Sequence, residues 1–69
     1  MTPVEFRAAR ERLGYARGLG RKLTGREMAN ALNMGNHGWQ TISKWENGVT
    51  PIPGPVQIAV RYLLEYPEG

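Results

Sequence analysis

The 69-residue sequence has no cysteine, no aspartate and a single histidine, His37. Without cysteine the chain can build neither a disulfide framework nor a thiolate zinc site, and the absence fits a reducing compartment. One histidine with no cysteine or aspartate nearby does not make a metal site. The six glutamates offer no visible pair of general acid and base. We therefore predict that the protein is not an enzyme and uses no metal or cofactor.

Long apolar segments are also missing. No apolar run follows a charged start at the N-terminus, which argues against a signal peptide. The longest apolar-rich run, residues 56–64, is too short to span a bilayer. These absences predict a cytoplasmic protein with no membrane partner. Nine Lys and Arg against six Glu give a formal net charge of +3, which favours a polyanionic partner.

A capping-box pattern predicts the start of the first helix. Thr2 caps the helix and Glu5, three residues later, reaches back to the backbone of the cap. Gly14 is predicted to end this helix. Residues 15–23, with two glycines and three cations, are predicted to form a long loop. The residues predicted to be buried are Phe6, Ala9 and Leu13.

The same pattern, with Thr24 and Glu27, predicts the start of a second helix. Residues 33–38 have the composition of a turn and end it. The residues predicted to be buried on this helix are Met28, Ala31 and Leu32.

Two further helices follow. The third is predicted from about residue 39 to 47, and Gly48 stops it. Prolines make residues 50–55 a stiff connector, after which a fourth helix is predicted over residues 55–65. There is no strand pattern in the sequence. The fold class is therefore all-α, with residues 1–69 forming one compact domain of four helices.

The third helix is predicted to present one polar side. Ile42 and Trp45 are assigned to the core, and the side chains opposite them recur at i, i+3, i+4 and i+7. This polar stripe consists of Gln40, Ser43, Lys44 and Asn47. In a basic protein, the edges of DNA bases are the first candidate for such a hydrogen-bonding surface.

Two segments of the second and third helices match a known pattern. They are Glu27-Met28-Ala29 and Thr41-Ile42-Ser43-Lys44-Trp45-Glu46-Asn47-Gly48. With these segments the chain resembles the Cro/CI-type helix-turn-helix of phage and bacterial repressors, over residues 2 to about 64. The resemblance implies a lambda-repressor-like fold with the helix-turn-helix at about residues 24–48. The loop after the first helix and the turn before the third are both longer than is usual in the family.

The resemblance also implies which residues read DNA bases. The third helix of the family enters the major groove with its N-terminal part foremost. Gln40 is then the expected base reader, since Gln pairs bidentately with adenine, and Lys44 reaches guanine or a phosphate. Thr41 and Ser43 can donate to bases as well.

Phosphate contacts are expected from three places. In the family, the N-terminus of the second helix lies near the DNA backbone, where its dipole and free N–H groups attract anions. The corner after the third helix resembles the family's backbone-amide clamp on phosphate. The loop cations either contact phosphate or form a solvated charge run. The expected contacts are Thr24, Gly25 and Arg26, then Asn47 and Thr50, then Arg17, Arg21 and Lys22.

Three residues beside these sets have alternative interpretations. Trp39 either packs at the rim of the core or contacts a DNA sugar or a thymine methyl group. His37 is either an ordinary loop histidine or a phosphate contact. Glu46 is expected to be a structural partner of a cation or backbone amide, because a carboxylate is repelled by phosphate.

The fourth helix is apolar around most of its circumference, which predicts burial on more than one side. One apolar stripe holds Val56, Ala59, Val60, Leu63 and Leu64, and only Gln57, Arg61 and Glu65 form a polar strip. The second stripe, Ile58, Tyr62 and Tyr66, is predicted to form a homodimer interface. A monomer with an apolar surface is the alternative.

Together these features predict a sequence-specific DNA-binding transcriptional regulator, a repressor acting as a homodimer on a palindromic operator in double-stranded DNA. The alternative is a protein-interaction module or an antitoxin. In that case the helix-turn-helix serves as a scaffold and the fourth helix binds a partner protein.

Overall fold

The computed structural model describes residues 1–35 and 37–67, which form four α-helices and no β-strand within those ranges. The helices are α1 Pro3–Ala16, α2 Gly25–Ala31, α3 Gly38–Glu46 and α4 Gly54–Glu65. The all-α fold class predicted from the sequence is confirmed. Residue 36, inside the predicted turn, and residues 68 and 69 lie outside the described ranges.

Both predicted capping boxes are formed. At α1, the Glu5 amide donates to Thr2 Oγ1 (3.1 Å) and the Thr2 amide donates to Glu5 Oε1 (2.8 Å). Thr24 and Glu27 make the same reciprocal pair at the start of α2. Each box satisfies two donors that a helix start otherwise leaves free, so the two N-termini were readable from sequence alone.

The prediction that Gly14 ends α1 is wrong, because the helix continues to Ala16 and the loop begins only at Arg17. Gly14 is buried, and a Cβ placed on it would lie 1.8 Å from the carbonyl oxygen of Arg21. The glycine is therefore required because the loop backbone crosses α1 at this point, and not because a helix stops there.

The core lies where α1 packs against α3 and α4 and α2 packs against α3. Phe6 and Trp45 meet edge to face with ring centroids 5.8 Å apart. On α2 the buried residues are Met28 and Ala29, whereas Ala31 and Leu32 are only partly buried. The buried residues are Phe6, Ala9, Leu13, Leu23, Met28, Ala29, Ile42, Trp45, Ile52, Val60 and Leu63.

The connector and the fourth helix differ from the sequence prediction in two details. Ile52, between two prolines, is buried although no helical spacing pointed to it. Gln57 was assigned to a polar strip, but it is half-buried, donates to the Ile52 carbonyl (3.1 Å) and accepts from the Met1 amine (2.9 Å). Gln57 therefore ties the connector to α4.

Candidate nucleic-acid interface

The position of α3 is set by an ion pair at its C-terminal end. Glu46 Oε1 lies 2.7 Å from an Arg10 guanidinium nitrogen and 3.3 Å from Arg7 Nε, and the Glu46 side chain is only 8% exposed. Arg10 also donates to the Leu23 carbonyl, at 2.9 Å. One arginine of α1 thus holds both the segment entering α2 and the end of α3. The structural role predicted for Glu46 is confirmed.

Arg10 was missed in the sequence. Its side chain is only 12% exposed, and it follows Phe6 by one helical turn within the buried side of α1. A cation that interrupts an apolar helical period was the available signal, because a charge in that position needs a partner in the core.

The polar stripe of α3 is exposed along its whole length. Gln40, Ser43, Lys44 and Asn47 are all accessible, while Ile42 and Trp45 on the opposite side are buried. Asn47 Nδ2 donates to Ser43 Oγ at 3.2 Å, so these two side chains orient each other. Thr41 is also exposed. The predicted base-reading residues therefore lie on one accessible part of the surface.

The corner after α3 offers fewer free amides than the resemblance implies. Gly48 has a φ of +73° and ends the helix as predicted. The amides of Asn47, Gly48 and Val49 donate to carbonyls of α3. Among the described residues, only the amide of Thr50 in this corner lacks such a partner. The amide clamp that the resemblance implies would therefore rest on the Thr50 amide.

Trp39 forms the ridge between two grooves. Its side chain is 37% exposed, and the Arg26 guanidinium lies over its indole ring, 5.6 Å from the centroid. A groove of about 390 Å³ on one side is lined by Arg26, Ala29, Asn30, Gly35, His37, Trp39 and Gln40. A groove of about 220 Å³ on the other side is lined by Arg7, Arg10, Gly25, Trp39, Ile42, Ser43, Glu46 and Asn47. Trp39 thus packs against α2 and remains accessible to a ligand.

The predicted phosphate contacts are not all equivalent in the structure. Arg21 forms a forked pair with Glu27, with N–O distances of 2.7 and 3.2 Å. Arg17 donates to the Pro67 carbonyl (2.7 Å) at the end of α4. Lys22 and Arg26, by contrast, are exposed, and their side chains make no hydrogen bond or ion pair with the residues described. The free cations of this set are therefore Lys22 and Arg26.

The Arg21–Glu27 pair changes the titration of both groups. The hydrogen bond from Arg21, followed by that from the Thr24 backbone, lowers the pKa of Glu27 from 4.5 to about 2. The same hydrogen bond raises the pKa of Arg21. Thr24 is occupied as the cap of α2, and Gly25 lies against Trp39. The start of α2 thus carries a carboxylate as well as cations.

Asn30 is the second residue that the sequence did not single out. It is exposed on α2 one turn after Arg26, and both residues line the larger groove with Gln40. Their i, i+4 spacing on a helix adjacent to α3 was the available signal.

The apolar side of α4 is exposed. Ile58, Tyr62 and Tyr66 are 69%, 55% and 52% accessible, and the two tyrosine rings lie 5.0 Å apart. Arg61 and Glu65 flank them on the exposed side of the helix. The residues predicted to dimerise thus form one accessible apolar surface.

Among the residues the structure describes, no group of three His, Asp or Glu side chains is placed to hold a metal ion. None of the described helices is both long enough and apolar enough to cross a membrane. No protein-family model, curated protein or solved structure matches the chain.

Proposed function

We propose that the protein is a sequence-specific DNA-binding regulator of transcription, built on a Cro/CI-type helix-turn-helix in which α3 reads bases in the major groove. The observation that carries the proposal is the exposed polar stripe of α3 above a fully buried opposite side. Ion pairing through Glu46 fixes the helix to α1. A rigid helix with Gln, Ser, Lys and Asn outward fits the donor and acceptor pattern of the major groove.

The distribution of paired and unpaired charges supports the same proposal. Glu46 pairs with Arg7 and Arg10, and Glu27 pairs with Arg21. Lys22, Arg26 and Lys44 are exposed, and their side chains have no hydrogen bond or ion pair within the described residues. Unpaired cations beside a base-reading surface supply the electrostatic attraction on which DNA binding depends.

The exposed side of α4 supports action as a homodimer. Ile58, Tyr62 and Tyr66 form its apolar part, and Arg61 and Glu65 lie one helical turn apart beside them. One antiparallel register about a two-fold axis sets each Arg61 opposite the Glu65 of the other copy. A two-fold dimer places its recognition helices about 34 Å apart, on successive major grooves of a palindromic operator. Occlusion of a promoter by this dimer would repress transcription.

The same apolar surface favours a second candidate, an interaction module or antitoxin that binds another protein through α4. This candidate does not require the polar stripe or the free cations near it. Selection of bound sites from random duplex DNA separates the two. An enriched palindromic motif supports the regulator, and weak, salt-sensitive binding with no motif supports the interaction module.

A substitution at Gln40 tests the base-reading role. We expect Gln40→Ala to lose about 1–3 kcal/mol of binding to the selected operator and to relax base choice at one position of each half-site. The matched control is Lys22→Gln, which should weaken binding to all sequences by a similar factor. If Gln40→Ala also weakens all sequences equally, Gln40 does not read a base.

A further inference from the structure

Arg26 and Trp39 form a cation–π pair at the edge of the α2–α3 surface. The guanidinium carbon lies 5.6 Å from the indole centroid, within the range of cation–π attraction. Both residues are exposed, and 37% of Trp39 is accessible. The contact thus places the Arg26 guanidinium beside the indole ring at the protein surface.

Arg26 differs from the neighbouring arginines in having no polar partner. Arg10 and Arg21 are held by carboxylates, whereas Arg26 makes no hydrogen bond or ion pair with any described residue. A guanidinium carries five N–H donors in a planar fork, and a cation–π contact requires none of them. Arg26 can therefore donate bidentately to a ligand with two adjacent acceptors.

The position of the pair indicates what that ligand is. Arg26 and Trp39 border the groove of about 390 Å³ that Gln40 and Asn30 also line. Trp39 directly precedes Gln40, the expected base reader of α3. Arg26 and Trp39 therefore lie beside Gln40 on the same groove.

We propose that Arg26 and Trp39 together read a pyrimidine with a 5-methyl group followed by guanine. This proposal rests on the DNA-binding function proposed above. Arg26 donates to O6 and N7 of the guanine, the acceptor pair that arginine recognises in the major groove. The methyl group of the preceding pyrimidine projects into the same groove and packs on the apolar surface of the indole and guanidinium.

Thymine and 5-methylcytosine present the same methyl group, so a TpG step and a methylated CpG step share this chemistry. The proposal gives Arg26 a base-reading role in place of the phosphate contact that the family resemblance implies. For Trp39, it selects the methyl group of a pyrimidine over a DNA sugar as the DNA contact.

The test uses the duplex that the wild-type protein enriches from random DNA. Each thymine is replaced in turn by deoxyuridine, which removes only the methyl group. We expect roughly tenfold weaker binding at one thymine of each half-site, a thymine that precedes a guanine, and no change at the others. Exchanging that TpG step for CpG or methylated CpG shows whether the recognised methyl group belongs to thymine or to 5-methylcytosine. Tighter binding of methylated CpG than of TpG would identify 5-methylcytosine as the preferred base, and the reverse would identify thymine.

Two variants assign the effect to the pair. Trp39→Ala removes the indole, and Arg26→Lys keeps the charge but removes the planar, bidentate donor group. In both variants, the ratio of the affinity for the thymine duplex to that for the uracil duplex should fall to about one. Lys22→Gln is the control and should weaken binding while leaving the ratio unchanged. Because Arg26 is exposed, Arg26→Lys tests the proposal even if Trp39→Ala does not fold.

Three outcomes would overturn the proposal. A specific motif with no uracil effect at any position would leave the DNA-binding function intact and remove the methyl-reading role. A uracil effect that persists in both variants would assign the methyl contact to another residue. If no motif is enriched at all, the proposed function fails, and this inference fails with it.

Discussion

The outward sides of α3 and α4 are both exposed, yet they have opposite chemistry. On α3 the accessible residues include Gln40, Ser43, Lys44 and Asn47, which can all hydrogen-bond. On α4 they include Ile58, Tyr62 and Tyr66. Each helix buries its other side in the same core. Two helices of one small domain can therefore suit different partners, because the exposed residues of each helix are not the residues that pack in the core.

The comparison also shows how differently the two helices are held. The end of α3 is fixed by the buried Arg10–Glu46 pair. The start of α4 is held by Gln57. Its amide nitrogen donates to the Ile52 carbonyl of the connector, and its amide oxygen accepts from the charged Met1 amine. A surface that reads bases needs its side chains fixed in register, whereas an apolar surface tolerates small shifts.

The largest expected effect comes from breaking the Arg10–Glu46 ion pair that holds the end of α3. Glu46→Ala leaves Arg10 buried without its carboxylate, and we expect a loss of about 3–5 kcal/mol in the free energy of unfolding. Urea unfolding followed by circular dichroism measures it. Replacing both partners, as Arg10→Met with Glu46→Leu, should recover most of the loss. Glu11→Ala, at an exposed position of α1, is the control and should change stability by less than about 0.5 kcal/mol.

The next effect concerns the outward side of α4. Tyr62→Ala should leave the fold intact and weaken self-association by about 2 kcal/mol, or roughly 30-fold in the dimer dissociation constant. Sedimentation equilibrium measures this constant. Tyr15→Ala on α1 is a matched control, since Tyr15 is 58% exposed against 55% for Tyr62. Equal weakening by both variants would mean that α4 is not the interface.

Salt dependence separates the two surfaces further. The slope of log K against log salt is negative, and Lys44→Gln should make it less negative by about 0.9 for each lysine removed. In a dimer on its operator the change is about 2. Dimerisation through α4 should be nearly insensitive to the same salt, because its interface is mainly apolar. Operator titrations at several salt concentrations give the slope. An unchanged slope would exclude a phosphate contact by Lys44 and leave it a base contact or none.

The smallest effect lies at the rim of the α2–α3 surface. The pKa of Glu27 is about 2 in the folded protein against 4.5 ordinarily. The unfolded chain therefore takes up the proton first as the pH falls. The contribution of Glu27 to stability is complete above the ordinary pKa and is lost as the pH falls toward the folded value.

In Glu27→Gln, the decline of stability with falling pH over this interval should be shallower than in the wild type. Urea unfolding across the interval measures it, and Glu11→Gln serves as the control. An identical decline in the wild type and in Glu27→Gln would mean that the Arg21–Glu27 pair does not stabilise the fold in solution.

Local patterns predicted the helices well. The two capping boxes placed both helix starts because the residues involved are only three positions apart and bond to each other. The polar stripe of α3 was readable for the same reason, since the helical period alone puts its members on one side. The apolar surface of α4 followed from an excess of apolar residues around the helix.

Contacts between distant segments were not predictable in this way. The sequence predicts a helix end at Gly14. A side chain at this position is instead excluded by the Arg21 carbonyl, which only the folded loop brings close. Arg10 was overlooked because its partners, Leu23 and Glu46, lie 13 and 36 residues away. Leu23 and Ile52 are buried although they belong to no helical period.

The polar stripe of α3 was thus determined by the sequence alone, because the spacing of Gln40, Ser43, Lys44 and Asn47 fixes it once a helix forms. The tertiary structure decided which cations remain free beside that stripe. Glu27 pairs with Arg21 and leaves Arg26 without a polar partner, while the packing of α2 on α3 places Arg26 over Trp39. Pairing depends on distances between side chains from separate segments, and those distances exist only after the chain has folded.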